Sequence, residues 1–225
     1  IRAIAREPGA RAKVAVSATQ AGIDPVGACV GQKGVRIQAI VKELHDEKID
    51  IILWDADPVA YISKAISPAK VAGVYLTEEE RTATVVVGED QLSLAIGRDG
   101  QNARLAAKLT GWRTDIKSLS GAAGDALTKL KDDPELQNML KTAVEAMPQV
   151  EEILAKKAES RLITPEEFHV IEQFVDRVER RMIQVKEEAT REVDERMAAA
   201  KADIPAVAFS MTLDKATELK EHIYN

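Results

Sequence analysis

The run Val30-Gly31-Gln32-Lys33-Gly34-Val35-Arg36-Ile37 returns sixty-six positions later as Ile96-Gly97-Arg98-Asp99-Gly100-Gln101-Asn102-Ala103. In each copy an apolar residue precedes Gly-x-x-Gly and an amphipathic pattern comes after it. The pattern is Ile37, Ile40, Val41 and Leu44 in the first copy, and Leu105, Ala106 and Leu109 in the second. Apolar positions three and four apart mark a helix with one buried face. The chain is therefore expected to contain a tandem repeat in which a glycine-bracketed loop opens a helix. That arrangement suits phosphate. Without a Cβ, the loop lets a sugar-phosphate chain lie directly on its backbone. The N–H groups and positive dipole end of the helix face the anion. A single Gly-x-x-Gly is ordinarily just a helix-capping turn; two copies with the same flanks point to phosphate.

At 225 residues, 45% of them hydrophobic and 30% charged, the chain can build two or three small domains with their own cores. No run approaches the roughly 18 apolar residues needed to cross a bilayer, and Ile1 opens neither a signal region nor a methionine start, so an internal fragment is expected. Cys29 is the only cysteine, which excludes an internal disulfide and a thiolate metal cluster and fits a reducing cytoplasm. The formal charge of -6 is unevenly spread. Residues 1–120 hold 16 Lys+Arg and 15 Asp+Glu, net +1; residues 121–225 hold 15 and 22, net -7. A net charge of +1 makes no broad basic footprint, so any nucleic-acid binding rests on local geometry and single cations.

Residues 1–16 read as a hairpin turning at Arg6-Glu7-Pro8-Gly9. Asp24-Pro25 caps and starts a short helix running into Gly31, residues 35–44 form the helix beyond the loop, and the apolar run 49–53 reads as a buried strand. Asp57-Pro58 launches a helix over Val59, Ile62, Ala65 and Ile66. The nearby pair Asp55 and Asp57 is read as a cap and first-turn charge, not as an acid–base pair. Residues 71–76 and 82–87 make a second hairpin, 89–96 a helix into the Gly97 loop, 101–109 the helix after it, and 112–119 a closing strand. The order from Pro58 is α, β, β, α, α, β.

Beyond Gly124 there is no glycine, and Glu, Ala, Lys, Arg, Met and Leu dominate, so the tail is expected to be helical. Pro134, Pro148, Pro165 and Pro205 are expected to divide it, with Thr164-Pro165-Glu166-Glu167 as a cap and first turn. From Pro165 to about residue 200, Ile171, Val175, Val178, Met182, Val185 and Ala189 alternate spacings of four and three. This is the seam of a coiled coil or helical hairpin, and its register drifts beyond Ala189. Two readings of the acidic tail stay open: a surface for a partner protein or self-association, and a helical domain that packs on itself.

Catalysis has no apparatus here. His45, His169 and His222 lie far apart, no nucleophile motif or metal-ligand spacing occurs, and neither glycine bracket is followed by Lys-Ser/Thr. No cofactor is expected.

Residues 1–120 resemble the paired KH domains of the NusA family of bacterial transcription factors. The marks are Arg6-Glu7-Pro8-Gly9, Lys13-Val14-Ala15-Val16, Asp24-Pro25-Val26-Gly27-Ala28-Cys29-Val30-Gly31, Glu47-Lys48-Ile49-Asp50-Ile51-Ile52-Leu53-Trp54, and the stretch from Gln91-Leu92 through Ile96-Gly97 to Leu109-Thr110-Gly111-Trp112. The resemblance implies an α+β fold of two tandem type II KH domains, residues 1–57 and 58–120, each with helices packed on a three-stranded sheet. An acidic all-helical region, residues 121–225, comes next and is not matched. The implied ligand is single-stranded RNA, with each loop clamping the backbone of about four nucleotides. The clamps would be Gly31, Gln32, Lys33 and Gly34, and Gly97, Arg98, Asp99 and Gly100. Arg36, Gln38, Gln101, Asn102 and Arg104, at the starts of the helices after the loops, would contact bases or phosphates.

The resemblance further implies a cytoplasmic factor that rides on RNA polymerase and affects pausing, termination and antitermination, with the polymerase-binding and S1 portions upstream. The alternative is a protein-interaction module in which the tail docks a partner and the KH folds are mainly structural. Asp99 departs from a simple clamp. At the phosphate it repels; turned to solvent, or capping the next helix, it leaves the site in place with reduced affinity.

Overall fold

In the first half of the repeat, β1 (Ala3–Glu7) and β2 (Arg11–Val16) pair antiparallel, and β3 (Lys48–Leu53) lies parallel to β2, giving the sheet order β1-β2-β3. A parallel neighbour requires a crossover. It is made by α1 (Pro25–Val30), a 3-10 turn at Gln32–Gly34, and α2 (Val35–Glu43). The second half adds a leading helix, α3 (Pro58–Ala65), before the same plan: β4 (Val71–Thr77), β5 (Thr82–Val87), α4 (Glu89–Ile96), a 3-10 turn at Arg98–Gly100, α5 (Gln101–Thr110) and β6 (Arg113–Ser118), in the order β4-β5-β6. This computed structural model describes residues 1–202, with side chains through residue 198; Pro205 and His222 lie outside the described residues.

The expected caps form. Asp24 accepts from the Val26 N–H, and Asp57 from those of Val59 and Ala60. Asp55 accepts from the Asp57 N–H and pairs with Lys64 at 2.7 Å, so the two carboxylates are a cap and its brace.

Alternate residues on a strand face opposite sides of a sheet. On the first sheet Ala5, Ala15 and Ile52 share one core with Tyr61, Ile62, Ala65 and Ile66 of α3 and its end, and with Leu105, Ala106 and Leu109 of α5. Ala83, Val85 and Val87 of the second sheet belong to the same core. The two halves therefore have no separate interiors: α3 and α5 are packed against both sheets. Lys13, fully buried on this face, bonds the Ser67 carbonyl at 2.7 Å and Asp50 at 3.2 Å, and its burial pulls the ammonium pKa down.

The opposite face of the second sheet is covered by the tail. Tyr75 and Val86 join a core built from α6 (Leu119–Asp132), α7 (Pro134–Met139), α8 (Lys141–Ala158) and α9 (Pro165–Ala202). The Tyr75 hydroxyl donates to Asp176 of α9 at 3.3 Å. Thr164 and Glu167 cap α9 reciprocally: the Glu167 N–H donates to Oγ1 of Thr164 and the Thr164 N–H to the Glu167 carboxylate. The α9 seam is fully buried at Ile171, Val175 and Val178 within the chain's own core, half-buried at Met182 and Val185, and exposed at Ala189. The chain divides into two units between Ile183 and Gln184, inside α9; both cores described above lie in the first, and Val185 and Ala189 belong to the second.

One tail expectation is overturned. Pro148 does not divide the helices but sits inside α8. An interior proline costs about 3 kcal/mol. Ala143 on one side of it, and Val150 and Ile153 on the other, are buried in the same core, and that burial outweighs the cost. No described helix is long and apolar enough to cross a membrane.

Candidate nucleic-acid interface

The two glycine brackets have one backbone conformation. Gly31 and Gly97 have φ/ψ of 75/171° and 76/172°; Lys33 and Asp99, 52/24° and 51/28°; Gly34 and Gly100, 78/10° and 73/13°. Each loop closes by the same bond, from the N–H of the second glycine to the carbonyl of the first, at 3.1 and 3.2 Å. The first glycine is required twice over. Its φ is positive, and a Cβ would come within 2.7 Å of the Arg36 side chain at Gly31, or 2.8 Å of the Asn102 backbone nitrogen at Gly97.

The third loop residue is left-handed in both copies although neither is glycine. Asp tolerates that region better than most side chains, which gives Asp99 a backbone reason to be there. Asp99 is exposed, and the N-cap of α5 is Gly100 with no side-chain cap bond, so Asp99 does not cap the helix.

Around the first loop, Gln32, Lys33, Arg36 and Gln38 are exposed. Arg36 donates through Nη1 to the Ala28 carbonyl at 2.8 Å, and neither Lys33 nor Arg36 forms an ion pair among the described residues. Around the second, Arg98 and Arg104 are exposed and Gln101 is half-buried. Asn102 does not face a ligand. It is 3% exposed, and its amide donates to the carbonyls of Ile66 at 2.9 Å and Ala95 at 3.0 Å, tying the ends of α3 and α4 to the first turn of α5. A polar residue at a helix start resembles a ligand contact in sequence. Here the carbonyls of Ile66 and Ala95 hold it inward, whereas Arg36, beside the equally close Gly31, stays exposed.

Sequence reasoning missed Glu7. Gln101 donates to it at 2.9 Å and Arg104 at 2.6 Å, across 94 and 97 positions of chain. These bonds hold the Glu7 carboxyl at about 2, far below the usual range, with the Arg104 bond as the largest cause. Its neighbour Arg6 points the other way and forms a two-bond pair with buried Glu47 at 2.8 and 2.9 Å, which also accepts from the Gly9 N–H at 3.0 Å. Opposite charges on adjacent residues at a strand end, directed to opposite faces, were the signal that could have found it.

The helices after the loops differ in support. In α5, Asn102, Leu105, Ala106 and Leu109 are buried; α2 buries no residue. Beneath α2, against the outer face of the first sheet, lies a cavity of about 340 Å³ lined by residues including Ile4, Val14, Ile37, Ile40, Leu44 and Ile51.

Residues 1–54 match the family described as NusA-like first KH domain, and residues 58–123 the one described as NusA-like second KH domain. The "Transcription termination/antitermination protein NusA" of Halalkalibacterium halodurans is 59% identical over 122 residues, covering 54% of this chain and 32% of that protein. The proteins of the same name in Bacillus subtilis and Thermus thermophilus are 53% identical over 137 residues (60% and 37%) and 57% identical over 112 residues (50% and 29%). The match thus spans about a third of these relatives' length.

Proposed function

Residues 1–123 belong to the NusA-like tandem KH family, and from that membership and the paired loops we propose that the chain is the single-stranded-RNA-binding part of a transcription termination and antitermination factor. The observation that carries the reading is the repeated loop: two glycine brackets with matching dihedral angles, each opening a helix. A ribose-phosphate chain lies on Gly31 to Gly34 and Gly97 to Gly100, where no Cβ projects from the bracketing residues, and its phosphates face the first turns of α2 and α5. Gln32, Lys33, Arg98 and Asp99 flank that path. The guanidinium of Arg36, anchored through one N–H, keeps others for phosphate. Gln38 and Gln101 stand beside the bases, which lie in the groove along the sheet, and Arg104, bonded to the Asp99 carbonyl of the loop, stands beside the phosphates. The name shared by the relatives supports termination and antitermination as the process. Control of pausing and contact with RNA polymerase are read for the complete factor.

The test is a titration of the intact chain with a fluorescent single-stranded RNA of about eight nucleotides, two loops at about four each, against duplex DNA. Truncation after residue 120 is avoided because it uncovers Tyr75 and Val86. Salt-dependent binding to RNA, with no competition from the duplex, is expected. Absence of RNA binding, alongside capture of a protein partner, moves the function to protein interaction.

A further inference from the structure

Glu7, the last residue of β1, reaches from the first sheet to the opening of α5. Its Oε1 accepts from Arg104 Nε at 2.6 Å, and its Oε2 accepts from Gln101 Nε2 at 2.9 Å and Arg104 Nη2 at 3.4 Å. Arg104 Nη1 donates in turn to the Asp99 carbonyl inside the loop, at 3.1 Å. A carboxylate held by the Nε–Nη2 edge of a guanidinium and by a side-chain amide N–H, beside the first turn of a ten-residue helix, makes side-chain contacts that a phosphate oxygen could make there. The side chains are 22% exposed at Glu7 and 48% at Arg104, so an incoming anion can reach the pair.

The charges around the loops then differ. At the first, Lys33 and Arg36 have no carboxylate partner among the described residues, a local charge of +2. At the second, Arg98, Arg104 and Lys108 of α5 stand against Asp99 and Glu7, three positive against two negative, for a local charge of +1. The backbones match, so this difference separates the loops as phosphate sites.

We propose that Glu7 is an internal counterion that masks Arg104, so that a carboxylate of the first KH domain sets the phosphate affinity of the second. The inference rests on the RNA-binding reading above. RNA reaches Arg104 by displacing the carboxylate or by sharing the guanidinium with it, and the phosphate contact is weakened either way. Exposed ion pairs hold loosely enough for a polyanion to compete. The carboxyl, held at about 2, stays anionic throughout the neutral range, so the mask does not lift with physiological pH.

The test is a double-mutant cycle on the intact chain with Glu7→Gln and Arg104→Gln. It is read by the affinity for a single-stranded RNA of about twelve nucleotides across a salt series, with thermal melts alongside. Glu7→Gln keeps the shape and hydrogen-bonding capacity of the side chain while freeing the charge of Arg104. One further phosphate is then neutralised, so the plot of log affinity against log salt steepens by roughly 0.7, about a fivefold gain at 0.1 M salt relative to 1 M. In the wild-type background Arg104→Gln flattens the slope by less than roughly 0.7, because the contact is already weakened; in the Glu7→Gln background it flattens the slope by that full value and abolishes the gain. If wild type binds RNA and Lys33→Asp weakens that binding, but Glu7→Gln leaves the slope unchanged or weakens binding, Glu7 is a strut and the mask is refuted while the RNA reading stands. If neither wild type nor Glu7→Gln binds RNA, both fall.

Discussion

The two halves of the repeat carry the same loop on different foundations. The brackets agree in dihedral angles to within a few degrees. Yet α2 buries no residue and lies over a cavity, whereas α5 is packed against both sheets and buries four. The face that borders the cavity in the first half carries Val14 and Ile51; the corresponding face in the second, with Val85 and Ile116, is covered by α3, α4 and α5. Loop conformation is thus set locally, by two glycines and a left-handed third residue, and does not depend on how deeply the adjoining helix is packed. Packing depth depends on what covers the sheet. The far face of the first sheet packs against elements of the second half, and the far face of the second packs against the tail, so each sheet is completed by elements later in the chain.

The largest expected effect is in the cores. Leu105→Ala should cost about 2–5 kcal/mol. Ile40→Ala, at a position 47% exposed over the cavity, should cost about 1 kcal/mol, roughly half of full burial. Equal costs in urea unfolding would break the contrast between the halves. Next comes the equivalent pair Arg36 and Asn102. Asn102→Ala leaves the carbonyls of Ile66, Leu94 and Ala95 without their amide donor and should cost about 1–3 kcal/mol, whereas Arg36→Ala, at an exposed site, should stay within about 0.5 kcal/mol. If the melts rank them the other way, Asn102 does not brace the helix ends.

Smaller effects sharpen the difference in charge. Asn tolerates the left-handed region as Asp does, so Asp99→Asn should leave the melting temperature unchanged and tighten RNA binding by up to about 1 kcal/mol. Weaker binding would make Asp99 a needed contact. The Glu7 carboxyl is depressed from 4.5 to about 2 in the folded chain. Its stabilising contribution is therefore fully present above 4.5 and lost as pH falls toward about 2. Over that window Glu7→Gln should lose less stability than wild type, in melts at stepped pH. Parallel acid profiles would show that the Glu7–Arg104 pair does not form in solution.

The glycine brackets, the Asp caps and the strand periodicity were legible because each depends on residues within a few positions. Glu7 was not, since its partners lie across a domain boundary, and the inward turn of Asn102 depends on the Ile66 carbonyl, 36 positions back in the chain, together with that of Ala95. Pro148 misled because a local rule yielded to burial on both sides of it. The tail's docking had one unread sign: Val85-Val86-Val87 is a continuous apolar run, and a strand with one wet face would alternate. Val86 points to the tail while its neighbours face the shared core.

The central claim, that the repeated loops grip the backbone of single-stranded RNA, is tested most directly by reversing one charge without touching either glycine. Lys33 is exposed and forms no ion pair among the described residues, so Lys33→Asp leaves the core alone. Its RNA affinity, measured on the intact chain across a salt series beside wild type, should fall, and the slope of log affinity against log salt should flatten by more than roughly 0.7, the value for one neutralised phosphate. A folded Lys33→Asp chain that binds RNA as tightly as wild type, with the same slope, would mean that the first loop does not hold phosphate.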